Sequence, residues 1–481
     1  MLFVSPVFLL LFLPIVLGIY ALTPNRIRPR VICIFGLAFY TIANLETPAS
    51  ILFLMLCAVF TYCATFAVFS VRKRSVMIFC ITIVVGVLAV LRYLGIWADE
   101  SAARQFIPIG ASFYLLASVS CIVDVSRGDA KMPRTFIDVL TYLTFFPVII
   151  AGPIIKYKHF EQHIKPENLR YSAADIGSGV IIFARGFIKR VAIAALIDET
   201  YDSIASQLIN RANEPVSLIL AFILSVLLLV GVYFSFSGYS DMGRGIAAML
   251  GIRINPDFGA CLFAYSPTIY FRNFMSSLTL WIDDYIRTPL ANALKLESKQ
   301  GNSKRIAAAI VSVAGSLSLL LWFKIGISAM PAIALLLLPS VIFPMLDLDE
   351  KLKASKHWRW LGWFFTMAYA AVFWLIVKTR DLSSLLVLYG NLTIFQPLQS
   401  FTVFNAFDNL EIPLVVLITL IVELPVIIGM LTRRRQSSIL RTQGFRWVWS
   451  LLILAIFVAS IYYYLPQYPD LASAPFRDII F

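Results

Sequence analysis

Residues 231–258 read GVYFSFSGYSDMGRGIAAMLGIRINPDF. An apolar run near 216–237 leads straight into Tyr239, Ser240, Asp241 and Arg244, with Pro256 closing the stretch. A charge at membrane depth is costly, so a side chain of that kind marks an ion pair, a cavity or a reaction site. Asp241 and Arg244 lie three residues apart, a spacing at which helix neighbours pair. Pairing makes both charges tolerable at depth, whereas either one alone is expensive. The stretch therefore reads in two ways: a structural ion pair holding a broken helix, or one wall of a cavity.

A second polar island spans residues 142–160, YLTFFPVIIAGPIIKYKHF. Pro147 and the Gly152-Pro153 pair interrupt the helix and free backbone groups that need protein or water partners. Lys156 and Lys158 stand where such a segment emerges. They serve either as headgroup anchors or as attractors of an anionic ligand. His159 and His163 are four apart, but the residues between them depart from the His-Glu-x-x-His order. With three histidines in the whole chain, no metal centre is expected.

The surroundings explain why these islands stand out. Hydrophobic residues make up 60% of the 481 and charged ones 14%, and the mean hydropathy is +0.84. A soluble chain of this length needs polar surface that this one lacks, so it reads as a polytopic membrane protein with lipid as its partner. The net charge of +13 sits in short clusters between apolar runs, the pattern of cytoplasmic loops. Nucleic acid is not expected. Cys33, Cys57, Cys63, Cys80, Cys121 and Cys261 all fall in or beside apolar runs without a CxxC pair, which makes them small hydrophobes of a packed bundle.

Spans of roughly 20 apolar residues give about eleven to thirteen crossings, some broken or re-entrant. The first 22 residues read as a retained helix, and Arg26, Arg28 and Arg30 just after them place the N-terminus outside. Residues 107–128, IPIGASFYLLASVSCIVDVSRG, carry small residues suited to close helix packing. Residues 270–290, YFRNFMSSLTLWIDDYIRTPL, mix Arg272, Asp283, Asp284 and Arg287 with aromatics. That mixture predicts a helix lying along the interface or dipping into a cavity. No internal repeat is visible, and one transmembrane domain over 1–481 is the simplest organisation.

Taken in order, IPIGASFYLLASVSCIVDVSRG, YLTFFPVIIAGPIIKYKHF, GVIIFARGFIKRVAIA, YFSFSGYSDMGRGIAAMLGIRI and YFRNFMSSLTLWIDDYIRTPL resemble the bacterial branch of the membrane-bound O-acyltransferase family. LLLWFKIG and FTMAYAAVFWLIVKTRDLSS are weaker echoes. The resemblance covers a core of about 107–384, flanked by further helices in 1–106 and 385–481. It implies an all-α bundle with re-entrant or interfacial helices around a central tunnel, in a bacterial inner membrane. An acyl donor such as acyl-CoA or an acyl-carrier protein would enter from the cytoplasm. The acyl group, most simply acetyl, would pass to an exported or envelope polysaccharide or to a glycan-modifying partner outside.

The family carries a histidine in a Leu-Trp-His-Gly pattern, and here Leu321-Trp322-Phe323-Lys324 puts Phe323 in its place. A second histidine, in Trp-His-x-Ser-Leu-Ser, lines up with Phe274–Thr279, so that Met275 replaces it. Neither replacement can move a proton, and general acid–base catalysis is worth ~10²–10⁴-fold. Three accounts stay open. Lys324 substitutes as base, desolvated enough to lose its charge, unless it simply snorkels to an interface. Or the chain is a non-catalytic scaffold of an envelope glycan or secretion assembly. Or it is a transporter or flippase using buried charges, for which the expected inverted repeat is missing. The site residues expected are Lys324, Asp241 and Asp284 in catalytic roles. Tyr239, Ser240, Arg244, Arg272, Trp322, Phe323 and Met275 are expected in the cavity or at the substrate.

Overall fold

The computed structural model describes residues 3–45, 47–97, 108–169, 172–210, 216–298, 301–322, 330–346, 348, 351–352, 356–379, 392–393, 416–425, 443–463 and 466. They form an all-α membrane bundle. The exception among them is a two-residue parallel bridge between Val216–Ser217 and Leu392–Thr393.

In chain order the helices are α1 (Phe8–Leu22), α2 (Arg28–Ala43), α3 (Ala49–Val71), α4 (Arg74–Trp97), α5 (Ala111–Arg127), α6 (Phe136–Leu143) and α7 (Phe146–Ile149). There follow α8 (Tyr157–His163), α9 (Ala173–Ile188), α10 (Ala195–Asn210), α11 (Leu218–Met249), α12 (Pro267–Asn273) and α13 (Ser276–Ile282). The last are α14 (Thr288–Ala293), α15 (Gly301–Trp322), α16 (Met330–Leu346), α17 (Lys356–Thr379), α18 (Val416–Pro425) and α19 (Gln443–Tyr463). A π turn, Lys189–Ala194, joins α9 to α10, and another, Asp283–Arg287, joins α13 to α14.

Five of the described helices are long and apolar enough to cross a membrane. Burial ranks them: 61% of the apolar window of α11 is inside the bundle, against 11% in α4 and in α19. α11 is the central post, and α4 and α19 present side chains such as Ile78, Phe79, Leu451 and Val458 outward, where lipid tails are the natural solvent.

Four glycines set how closely the post is approached. Gly179 and Gly186 on α9 meet Gly245 and Gly238 on α11, in antiparallel order. A Cβ on Gly186 would lie 2.5 Å from the Gly238 carbonyl oxygen, and one on Gly179 would lie 2.6 Å from that of Gly245. Small residues two turns apart allow this backbone-to-backbone crossing in lipid, where helices have no hydrophobic incentive to associate.

The broken segment after α6 behaves as its Pro and Gly residues predict. The helix stops at Leu143, α7 makes a single turn, and residues 150–156 run without helix. The freed backbone is met by side chains: Tyr142 Oη donates to the Ile155 carbonyl at 2.7 Å, and the Ile154 amide donates to Ser277 Oγ at 2.9 Å. Gly110, at φ +80°, and Gly243 give this re-entrant turn room. A Cβ on Gly110 would stand 2.5 Å from the Ile149 carbonyl oxygen, and one on Gly243 would collide with that of Pro147.

One expectation is corrected. The helix carrying Asp241 and Arg244 is not broken there, because α11 continues through Met249. Asp241 and Arg244 are met laterally by Lys189, by each other and by the Ile254 carbonyl, so the backbone ladder has no reason to open.

Replacing Gly186 by Val should cost most of the folded protein, since the clash is with backbone that cannot swing aside. Gly177→Ala, on the same helix but facing open space, should be neutral or stabilise by up to ~1 kcal/mol. Membrane protein level and the thermal midpoint of the detergent-purified chain check the contrast.

Candidate functional site

A small cavity opens between α11, the re-entrant turn and the start of α13. Tyr239 and Ser240 line it from α11, Gly152 from the turn, and Asp257, Phe258 and Met275 from the opposite side. A larger apolar cavity lies on the other side of the re-entrant turn, with Tyr142, Ile149, Pro153 and Phe160 in its wall. Phe113 borders both.

The cavity wall has an unusual backbone. Met275, buried, sits at φ 52° and ψ 59°, a left-handed conformation in which Asn, Asp and His are the enriched non-glycine residues. Asp257 holds it there from the connection after α11. Its Oδ1 accepts from the Ser277 amide at 2.6 Å and from Ser276 Oγ at 3.3 Å, while its carbonyl accepts from the Ser276 amide at 2.8 Å. These bonds satisfy donors that a helix start leaves unmatched. Burial pushes the Asp257 carboxyl above the usual carboxylate range, although the Ser277 and Ser276 hydrogen bonds and the Arg244 charge pull the other way. Ser240 Oγ is buried and makes no hydrogen bond among the described residues.

At the next residue of α11 the polar character changes from hydroxyl to charge. Asp241 pairs with Arg244 through Oδ1 at 2.6 Å and with Lys189 through Oδ2 at 3.0 Å. Lys189 reaches on to Glu423 of α18 at 2.8 Å, and Glu423 receives Arg185 at 3.0 Å. Lys189 is 2% exposed and Asp241 8%, so the chain of charges is sealed from solvent and lipid. Beside it, Arg190 pairs with Asp198 at 3.3 Å and lies over the Tyr239 ring, 6.0 Å from its centroid. The expected Asp241–Arg244 pair is therefore present, as one link of a longer network.

The basic residues after the re-entrant turn meet the helix of residues 276–293. Lys156 and Lys158 share one carboxylate, Asp284, the latter at 3.2 Å, and Lys156 also donates to the Leu280 carbonyl at 2.8 Å. Fully buried Asp124 accepts from Tyr285 Oη at 2.7 Å and from the Lys158 amide at 2.9 Å. The result is a clamp between the end of α5, the exit of the turn and the π turn after α13. Desolvation alone would raise the Asp284 carboxyl, but the Lys156 and Lys158 hydrogen bonds and charges hold it below its ordinary value. Burial, then the Lys158 and Lys156 charges, lower the His159 imidazole.

The expected site residues thus fall into three groups. Tyr239, Ser240 and Met275 meet at one cavity. Asp241, directly after Ser240, and Arg244 stand in the ion network, and Asp284 belongs to the clamp. Arg272 points outward, its side chain 67% exposed and 3.9 Å from Asp283. Trp322 ends α15. Phe323 and Lys324 lie outside the described residues. No cluster of metal-ligating side chains occurs among the described residues.

The sequence profile described as MBOAT, membrane-bound O-acyltransferase family, matches residues 50–300. The chain belongs to the membrane-bound O-acyltransferase family. The match spans the two cavities, the clamp and all of α11. Among curated proteins, the probable alginate O-acetylase of Pseudomonas aeruginosa is 32% identical over 60% of this chain and 56% of its own length. The peptidoglycan O-acetyltransferase of Helicobacter pylori is 26% identical over 60% and 62%. The teichoic acid D-alanyltransferase of Bacillus subtilis is 23% identical over 45% and 55%. The chain therefore spans a little over half the length of the curated relatives it matches.

Reading the sequence missed Lys189, Arg190, Arg185 and Glu423 as parts of the buried network, and Asp257 as a cavity wall. A signal for the first was present. Arg185 and Lys189 lie four apart inside an apolar run, which puts two cations on one helix face and demands carboxylates opposite. Glu423 lies 182 positions beyond Asp241 (423 − 241), and no local pattern joins them.

Removing one member of a buried ion pair costs ~3–5 kcal/mol, mostly because the partner charge is stranded. Asp241→Asn, which strands Arg244, should lower stability by about that much, read as a fall in the thermal midpoint. Asp284 behaves differently with pH. A depressed folded-state pKa gives stability that is complete above the unfolded value of ~3.9 and disappears as pH falls through the folded value. The midpoint difference between wild type and Asp284→Asn should hold steady from about pH 5 to 8 and shrink as pH falls below the ordinary aspartate value of ~3.9.

Proposed function

We propose that this chain serves O-acylation, most simply O-acetylation, of an exported or cell-envelope polysaccharide. It works in the bacterial inner membrane with its N-terminus outside, taking the acyl group from a cytoplasmic thioester donor such as acyl-CoA or an acyl-carrier protein. The supporting observation is convergence: segments matched by the family profile, 110–155, 236–258 and 275–285, are far apart in sequence and meet around one polar-walled cavity. The relatives named as acetylating alginate or peptidoglycan favour a glycan acceptor. The passage of an acyl group past the re-entrant turn, between the larger apolar cavity and the polar one, belongs to the same reading.

Lys156 and Lys158 are poor candidates for capturing an anionic donor in this arrangement, since Asp284 pairs with both and Asp129 stands 3.9 Å from Lys158. Lys324 is the base that the sequence offers. One observation favours a second reading, a non-catalytic relative acting as scaffold: the cavity wall holds Met275 where the family pattern has a proton-transferring histidine.

Deleting the gene should abolish acyl esters on the exported polymer, and the wild-type chain should restore them. Ester content is measured by alkaline release and chromatography of the freed acid. Met275→His fits a backbone conformation already suited to histidine. It should be accommodated and should hold or raise ester content if the cavity is a reaction site. Unchanged ester content in the deletion strain would end the acyl-transfer reading. Rescue by a doubly disabled Ser240→Ala, Lys324→Met chain would favour the scaffold.

A further inference from the structure

We infer that Asp257 is the proton acceptor of the cavity, taking the hydrogen of the acceptor hydroxyl as that oxygen attacks an acyl thioester. This rests on the acyl-transfer reading and supplies the base that the replaced histidines leave wanting. Of the side chains lining the cavity, Asp257 alone carries a group able to take up a proton near neutral pH. Tyr239 and Ser240 bring hydroxyls, and the remaining wall is aromatic, alanine, glycine or Met275.

The geometry of the carboxylate suits the task. Its two hydrogen bonds from the start of α13 both fall on Oδ1, at 2.6 Å from the Ser277 amide and 3.3 Å from Ser276 Oγ. No hydrogen bond to Oδ2 is made among the described residues. One oxygen therefore fixes the carboxylate's position and the other is left for a proton, the division of labour a general base needs. Asp257 is 2% exposed, so bulk water does not compete for that oxygen. Burial raises its affinity for a proton above that of an ordinary aspartate, which strengthens it as a base.

The step balances without any further reagent. The acceptor O–H proton passes to Asp257 Oδ2 as the oxygen bonds to the thioester carbonyl carbon. The oxyanion that forms can take a hydrogen bond from Ser240 Oγ, a buried hydroxyl on the facing wall with no hydrogen bond to any described residue. Collapse breaks the C–S bond, the departing thiolate takes the proton back from Asp257, and ester plus thiol result.

The test uses the full-length chain in the deletion strain. Asp257→Asn keeps an oxygen that accepts from the Ser277 amide, and Asn serves as well as Asp in satisfying a helix start. The protein should therefore accumulate and melt like wild type. Ester content, and acyl transfer in isolated membranes, should fall ~10²-fold or more. Wild-type transfer should rise with pH through a single ionisation above the usual aspartate value of ~3.9. Gly177→Ala, on the open side of α9, should keep both rate and profile. Adding Met275→His to Asp257→Asn should return part of the rate, with its pH dependence moved toward the imidazole value of ~6.5, a shift that a merely structural role for Asp257 would not produce. Asp257→Asn with ester content within threefold of wild type overturns the assignment and leaves the acyl-transfer reading standing. Loss in Lys324→Met with retention in Asp257→Asn overturns it in favour of the lysine. Normal esters in the deletion strain overturn both.

Discussion

The crossing of α9 against α11 is the constraint on which the rest depends. With glycine on both sides, the two backbones approach until carbonyl oxygens nearly touch the opposing α-carbons. Only at that separation does Lys189, at the end of α9, reach Asp241. Wider spacing would leave a lysine and a carboxylate apart in a low-dielectric interior, each paying its own desolvation. The glycines and the charges are therefore one device: small residues bring the helices together, and the ion network fixes their register.

The network also divides the middle of the bundle in two. On one side Lys189, Arg185 and Arg244 are tied down by Asp241 and Glu423, with little freedom to meet a ligand. Beside Asp241 on α11, Tyr239 and Ser240 face a cavity whose far wall is Asp257 and Met275. Structural charge and reactive surface share a helix without sharing a face. This explains how an intramembrane aspartate can look functional in sequence and yet act as a fastener, its position next to the cavity being a matter of support.

With Met275 and Phe323 where the resemblance expects histidines, the question is one of chemistry more than of architecture. The left-handed turn at residue 275, the carboxylate that holds it and the glycine-lined recess for the re-entrant turn are all present. Methionine fills a position whose backbone favours polar residues able to adopt that conformation, and the cavity around it has not collapsed. A fold that keeps a costly backbone and an open polar cavity retains the means to orient a substrate, whichever group moves the proton.

Much of this was legible in the chain. Its apolar composition dictated a membrane bundle, Pro147 and Gly152-Pro153 dictated a broken helix, and the three-residue spacing of Asp241 and Arg244 dictated a pair. All these are local effects, set by backbone chemistry or by one turn of helix. What no local pattern carries is the meeting of distant segments. Glu423 joins Lys189, Asp257 reaches the start of α13, and Asp284 gathers Lys156 and Lys158 only because helices far apart in sequence were brought side by side. Whether a buried polar residue becomes a fastener or a wall of the cavity depends on what stands across from it, and that was decided by the tertiary structure alone.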